Sequence, residues 1–145
     1  MDELKRELVQ GWLIKAQHDL ATAKKLATDP DPYLDTAIYH CQQAAEKAVK
    51  GFLVFQDQRV VKTHDVRYLV TLAIPAHGDF SELLDLAEYL TPFATAYRYP
   101  DENLEPEREE FDQAVAAAEE ILTSVLSALP EEVQPARSEA PVDEE

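Results

Sequence analysis

Glycine is scarce in this chain. There are three among 145 residues, where average usage gives about ten. With so few, no glycine-rich phosphate loop and no Gly-x-Ser-x-Gly elbow can be built, and neither is found; His-Glu-x-x-His is missing as well. Cysteine is nearly absent too. Cys41 alone cannot close an internal disulfide, and without Cys-x-x-Cys or His-x-x-x-His spacing there is no structural zinc site and no expected metal or cofactor. Apolar runs stay well below the roughly 18 residues a membrane span needs, and "MDELKRELVQ" lacks the apolar centre of a secretory signal. The expectation is a cytoplasmic protein with no membrane partner. Positive charge is the last shortage: 13 Lys and Arg face 29 Asp and Glu, a formal net charge of -16. Broad charge-driven nucleic-acid binding draws on Lys and Arg neutralising phosphates, so an anion site here has to be local.

What is present in quantity is alanine, leucine, glutamate and lysine in long windows, with a hydrophobic fraction of 46%. This points to an all-α protein, an up-and-down four- or five-helix bundle over residues 1–129, followed by a disordered acidic tail over 130–145. Val9, Leu13, Ala16, Leu20, Ala23 and Ala27 give a single apolar stripe on a first helix from an Asp2 cap to about Thr28. "TDPDP" breaks it. A second helix spans about 33–56, with Cys41, Ala44, Ala45, Ala48 and Phe52 on one side and small residues that allow close helix approach. Thr63 or Asp65 is positioned to cap a short third helix to about Leu72, and Asp79 or Ser81 a fourth, which Pro92 kinks or restarts. Pro106 fits the first turn of a closing helix that carries Phe111, Ala114, Ala118, Ile121, Val125 and Leu129.

Two features carry possible chemistry. His40, Gln43, Lys47 and Lys50 follow i, i+3, i+7, i+10 on the second helix, so they could donate jointly to a phosphate or carboxylate. They could equally be an exposed polar face or partners for a neighbouring helix. "AYRYP" sets Arg98 between Tyr97 and Tyr99 before Pro100. A guanidinium at a helix end can hold free carbonyls, and a planar cation flanked by phenols suits a phosphate with a stacked base. His64 beside Asp65 is either an oriented imidazole or part of a cap. Cys41 on an apolar face is a small buried hydrophobe. Acid pairs such as Glu109-Glu110 read as solvated surface.

Taken in order, "KAQHDLATA", "IYHCQQAAEKAVKGFLVFQ", "KTHDVRYL", "AYRYP" and the closing helix resemble the HEPN family over about residues 8–129. The resemblance implies a helical bundle that forms a homodimer and is often paired with a small nucleotidyltransferase in a toxin–antitoxin-like system. It also implies, for many members, metal-independent RNA cleavage by an Arg-x4-6-His motif shared across the dimer. Here the arginine carries over onto Arg98. The histidine does not: Asn103, Leu104 and Glu105 stand where it would fall. Cleavage needs a group that exchanges a proton, whereas holding a phosphate does not. The reading is therefore a nucleotide- or RNA-binding HEPN protein with Arg98 as phosphate anchor, Tyr97 or Tyr99 as stacking surface, and Lys47 and Lys50 as secondary cations. Two alternatives are a ribonuclease in which His40 or His64 replaces the missing histidine, and a non-catalytic helical module that engages a basic partner.

Overall fold

The computed structural model describes residues 1–100 and 105–135. Five α-helices follow one another: α1 Glu3–Thr28, α2 Leu34–Phe55, α3 Val66–Ala73, α4 Leu84–Leu90 and α5 Arg108–Ala128. Short 3-10 turns occupy Gly78–Leu83, Thr91–Ala94 and Glu131–Val133, and no strand occurs among the described residues. None of these helices is long and apolar enough to cross a membrane.

The long helices obey the expected periodicity. Val9, Leu13, Ala16, Ala23 and Ala27 of α1 are buried. The stripe differs from expectation at one step. Asp19 takes the buried position and Leu20 is only half-buried, because the Lys47 ammonium and the His40 ring on α2 meet both Asp19 oxygens and offset its desolvation. α2 is the central helix: it packs on α1, α5, α3 and α4, and every residue from Cys41 to Leu53 except Lys47 is buried. Its small residues permit close contact with α1. The tightest point is Gly51, where an added Cβ would lie 3.1 Å from the Trp12 Cβ and 3.4 Å from a Leu13 methyl. Removing buried bulk from such a core costs about 2–5 kcal/mol for a Leu→Ala change, so Leu13, fully buried against α2, is a principal anchor of the pair.

The helix starts are set locally. Asp2 accepts from the Leu4 amide at 3.4 Å, and Asp65 from the Tyr68 amide at 3.0 Å, with Thr63 accepting from the Asp65 amide. A tertiary cap adds to this. The Thr91 hydroxyl donates to the Ala87 carbonyl and accepts the Val66 and Arg67 amides, tying the end of α4 to the start of α3. Neither Asp79 nor Ser81 caps α4, because the 3-10 turn runs straight into it and leaves no break to cap. Pro92 does restart the chain, as the Thr91–Ala94 turn. Pro106 stands outside α5: the first acceptor of that helix is the extended Glu107.

The packed body also runs past Leu129. Val133 is fully buried, and Gln134 donates to the Leu126 and Leu129 carbonyls while its own carbonyl accepts from Gln10. Gln134 thus closes the C-terminal end of α5, whose last carbonyls have no partner inside the helix. The rest of the acidic tail, 136–145, lies outside the described residues.

Candidate functional site

Arg98 follows a backbone reversal. Tyr97 adopts φ 67°, a left-handed conformation that costs a non-glycine residue roughly 1–3 kcal/mol. The side chain holds it there. The Tyr97 hydroxyl donates to Glu110 Oε1 at 2.7 Å, and its ring stacks on Phe93 with centroids 6.3 Å apart. That bond to a carboxylate, with burial and the Glu110 charge, pushes the Tyr97 phenol up to about 12. With Tyr97 committed to α5, the chain turns and Arg98 is directed back onto α2. Its Nη1 donates to the Ala94 carbonyl at 3.3 Å, and its guanidinium carbon lies 4.5 Å from the centroid of the Tyr39 ring. The arginine of "AYRYP" therefore closes the preceding turn and also stands at the rim of a cleft.

That cleft has a volume of about 270 Å3 and is lined by Asp35, Thr36, Tyr39, His40, Tyr97 and Arg98. His40 is the only member of the α2 polar row to reach it. Its Nδ1 lies 2.7 Å from Asp19 Oδ1, and Lys47 donates to Asp19 Oδ2 at 2.7 Å. Asp19 on α1 thus orients His40 through one ring nitrogen, and the second nitrogen is left for other partners. Tyr39 lies edge-on to the His40 ring, with centroids 5.5 Å apart, and on its other contact carries Arg98. An Asp19, His40, Tyr39, Arg98 relay therefore crosses from α1 over α2 to the turn after α4.

The other members of the row are drawn elsewhere. Lys50 is buried and donates to Glu46 Oε2 at 2.7 Å. Glu46, 4% exposed, also accepts from Gln42 at 3.1 Å and Gln43 at 3.4 Å, and its Oε1 lies 2.9 Å from His64 Nδ1. Burial alone would raise the Glu46 pKa. The bonds from Lys50, His64 and Gln42, with the Lys50 charge, reverse this and hold it below the ordinary carboxylate value. Gln42 further donates to the His64 carbonyl, so this group fastens the approach to α3. Gln43, Lys50 and His64 are not among the residues lining the Arg98 cleft, nor is Lys47. Cys41 is buried, and desolvation pushes its thiol up to about 12. Among the described residues no cluster of His, Cys, Asp and Glu could hold a metal ion.

Tyr99 is 62% exposed, with its ring centroid 5.9 Å from the guanidinium of Arg98, and is the freer of the two phenols. Of the positions that would bear the family histidine, Asn103 and Leu104 lie outside the described residues. Glu105 is exposed, and desolvation together with the Asp35 charge raises its pKa. Sequence reasoning missed Asp19, Asp35, Tyr39 and Glu110. Asp19 carried a faint signal, an acid three residues from Ala16 on the edge of an apolar stripe. The others carried none, because what sets them in the site is the approach of the Arg98 turn to α2 and of Tyr97 to α5.

A short multi-helix bundle with a cation-bearing cleft between its central helix and an arginine turn is the class that these observations define. The sequence matches the HEPN domain over residues 9–129, and the chain belongs to that family. It is similar to the crystal structure of TT1696 from Thermus thermophilus, with 29% identity, a TM-score of 0.71, and coverage of 83% of this chain and 98% of that one. It is also similar to the crystal structure of ST0689, an archaeal HEPN homologue, with 29% identity, a TM-score of 0.65, and coverage of 83% and 96%. No curated protein matches the chain.

Proposed function

We propose that this HEPN protein binds a nucleotide or RNA through the Arg98 cleft, as a homodimer and as one component of a toxin–antitoxin-like pair with a nucleotidyltransferase. The observation that carries the binding step is the joint presence of Arg98, Tyr39 and His40 in one cleft, although Arg98 is far from the other two in sequence. A guanidinium held over the Tyr39 ring and bonded through Nη1 to the Ala94 carbonyl is restrained at the rim of the cleft, and such a planar donor fork suits phosphate oxygens. The cation is local, as a chain of net charge -16 requires. Equilibrium binding of a labelled oligoribonucleotide tests the assignment. Arg98→Ala is expected to weaken it about tenfold or more, the effect of losing a charge-assisted hydrogen bond. Unchanged affinity in that variant would remove the assignment. Sedimentation of the protein alone and with a candidate minimal nucleotidyltransferase tests the two partners.

The Asp19 to His40 contact favours a second reading, metal-independent RNA cleavage. An imidazole fixed by a carboxylate on one nitrogen can take a 2′-hydroxyl proton on the other, and His40 shares the cleft with Arg98. Incubating RNA with the protein in EDTA decides between the readings. Cleavage that is lost in both His40→Gln and Arg98→Ala supports the enzyme. Intact RNA with undiminished binding leaves a binding protein.

A further inference from the structure

The Arg98 cleft is not uniformly cationic, and its acidic end limits what can enter. Asp35 and Thr36 line it together with Tyr39 and His40. Each of the first two precedes one of the second two by four residues on α2, so the single acid of the lining, Asp35, lies about 6 Å along the helix from Tyr39, whose ring carries Arg98. Asp35 Oδ1 accepts the Thr36 amide at 2.7 Å and lies 3.4 Å from the Thr36 hydroxyl, which fixes its carboxylate. Oδ2 has no donor among the described residues. An ionised carboxylate only accepts hydrogen bonds. Beside a phosphate site it repels a bare anion, and it is tolerated when the ligand presents a hydroxyl or amine donor one helical turn from its phosphate.

We propose that Asp35 is the sugar-reading group of this cleft and selects ribose over deoxyribose by accepting a hydrogen bond from a ribose hydroxyl, while Arg98 holds the adjoining phosphate. The inference rests on the nucleotide or RNA reading of the cleft and deepens it. The size agrees. At about 270 Å3 the cleft falls below the roughly 300–1,000 Å3 typical of pockets for whole drug-sized ligands, which agrees with a ligand read through its phosphate and sugar. The exposed Tyr99 ring lies beside Arg98 and offers a face on which any base can stack. The ligand class is therefore a ribonucleotide unit read through its backbone, with the 2′-hydroxyl as the feature that separates RNA from DNA.

Fluorescence anisotropy with three labelled tetranucleotides of one sequence, carrying ribose, deoxyribose or 2′-O-methylribose, tests this at fixed salt in EDTA. The wild type should bind the ribose form about tenfold tighter than the other two, because both lack the donor that one charge-assisted hydrogen bond requires. Asp35→Ala should abolish the preference by weakening the ribose form alone, whereas Arg98→Ala should weaken all three alike. Asp35→Ser, which keeps an acceptor for the Thr36 amide without the charge, should match Asp35→Ala and guards against a folding defect. Equal binding of all three by the wild type, or a preference that survives in both Asp35 variants, overturns the proposal and leaves the Arg98 site intact. No binding of any of them overturns the Arg98 reading as well.

Discussion

Two carboxylate and histidine pairs flank α2 and are built from the same parts, one joining α2 to α1 and the other joining it to the approach to α3. Asp19 holds His40 and Lys47, and Glu46 holds His64 and Lys50. They differ in what surrounds them. In the first, His40 and Lys47 are each about a quarter exposed, and the imidazole continues into a cleft with Tyr39 and Arg98. In the second, Lys50 and Glu46 are enclosed, Gln42 and Gln43 occupy the remaining acceptor sites, and His64 projects outward at 66% exposure, away from the Arg98 cleft. A histidine beside a carboxylate is thus no evidence of function by itself. The pair that meets an independent cation in a cleft is the candidate site, and the pair that closes on itself is a fastening.

The sharpest way to break this contrast is to remove each acid in turn. Glu46→Ala leaves the Lys50 ammonium enclosed without a counter-charge, which costs about 3–5 kcal/mol. Asp19→Ala frees two groups that already reach water and should cost about 1–2 kcal/mol. Chemical denaturation of the two variants measures the difference, and equal losses would erase it. Acid should act on the same pair. The folded pKa of Glu46 is depressed below 4.5, so its contribution is present above the unfolded value and is lost as pH falls through the folded one. Stability against pH below about 4.5 should therefore fall less steeply in Glu46→Gln than in the wild type.

Binding sharpens the comparison from the other side. His40→Gln should weaken oligoribonucleotide binding about threefold, a fraction of one hydrogen bond, while His64→Gln leaves it unchanged in the same titration. A comparable effect, on stability, is expected at the turn that aims Arg98. Tyr97→Phe loses the bond to Glu110 and about 1 kcal/mol. Because the folded phenol titrates only at about 12, the stabilisation it gives is complete below its unfolded value near 10 and disappears as pH rises towards 12. A denaturation series at alkaline pH in wild type and Tyr97→Phe reads that loss. The smallest signal belongs to Cys41. Buried, with its thiol pushed up to about 12, it should resist alkylation in the native protein and react fully on unfolding.

Much of the architecture was legible because helix formation and burial repeat at short range. The α1 and α2 boundaries follow from Asp2, the "TDPDP" break and the apolar spacing, and Asp65 announces α3. The misses have two causes, partners distant in sequence, as for Asp19 with α2, and short-range pairs that the stripe reading passed over, as for Lys50 with Glu46 four residues away. Composition assigned Val133 and Gln134 to a tail, yet they close the end of α5. Periodicity favoured Leu20, yet Asp19 is the buried neighbour because α2 supplies Lys47 and His40 as its partners. Equal helical spacing grouped His40, Gln43, Lys47 and Lys50, yet two acids divide them between separate clusters.

By itself, then, the sequence determined a helical bundle, the order of its helices and its membership of the HEPN family, and it singled out Arg98. Those properties follow from local propensity, periodic burial and residue order. Only the tertiary structure decided which cations remain for a ligand. Asp19 on α1 claims Lys47, and Glu110 claims Tyr97, while α2 brings Asp35, Tyr39 and His40 to Arg98. The physical reason is that charges and hydrogen bonds are assigned by distance through space, and helical spacing shows which side chains share a face but never what that face will meet.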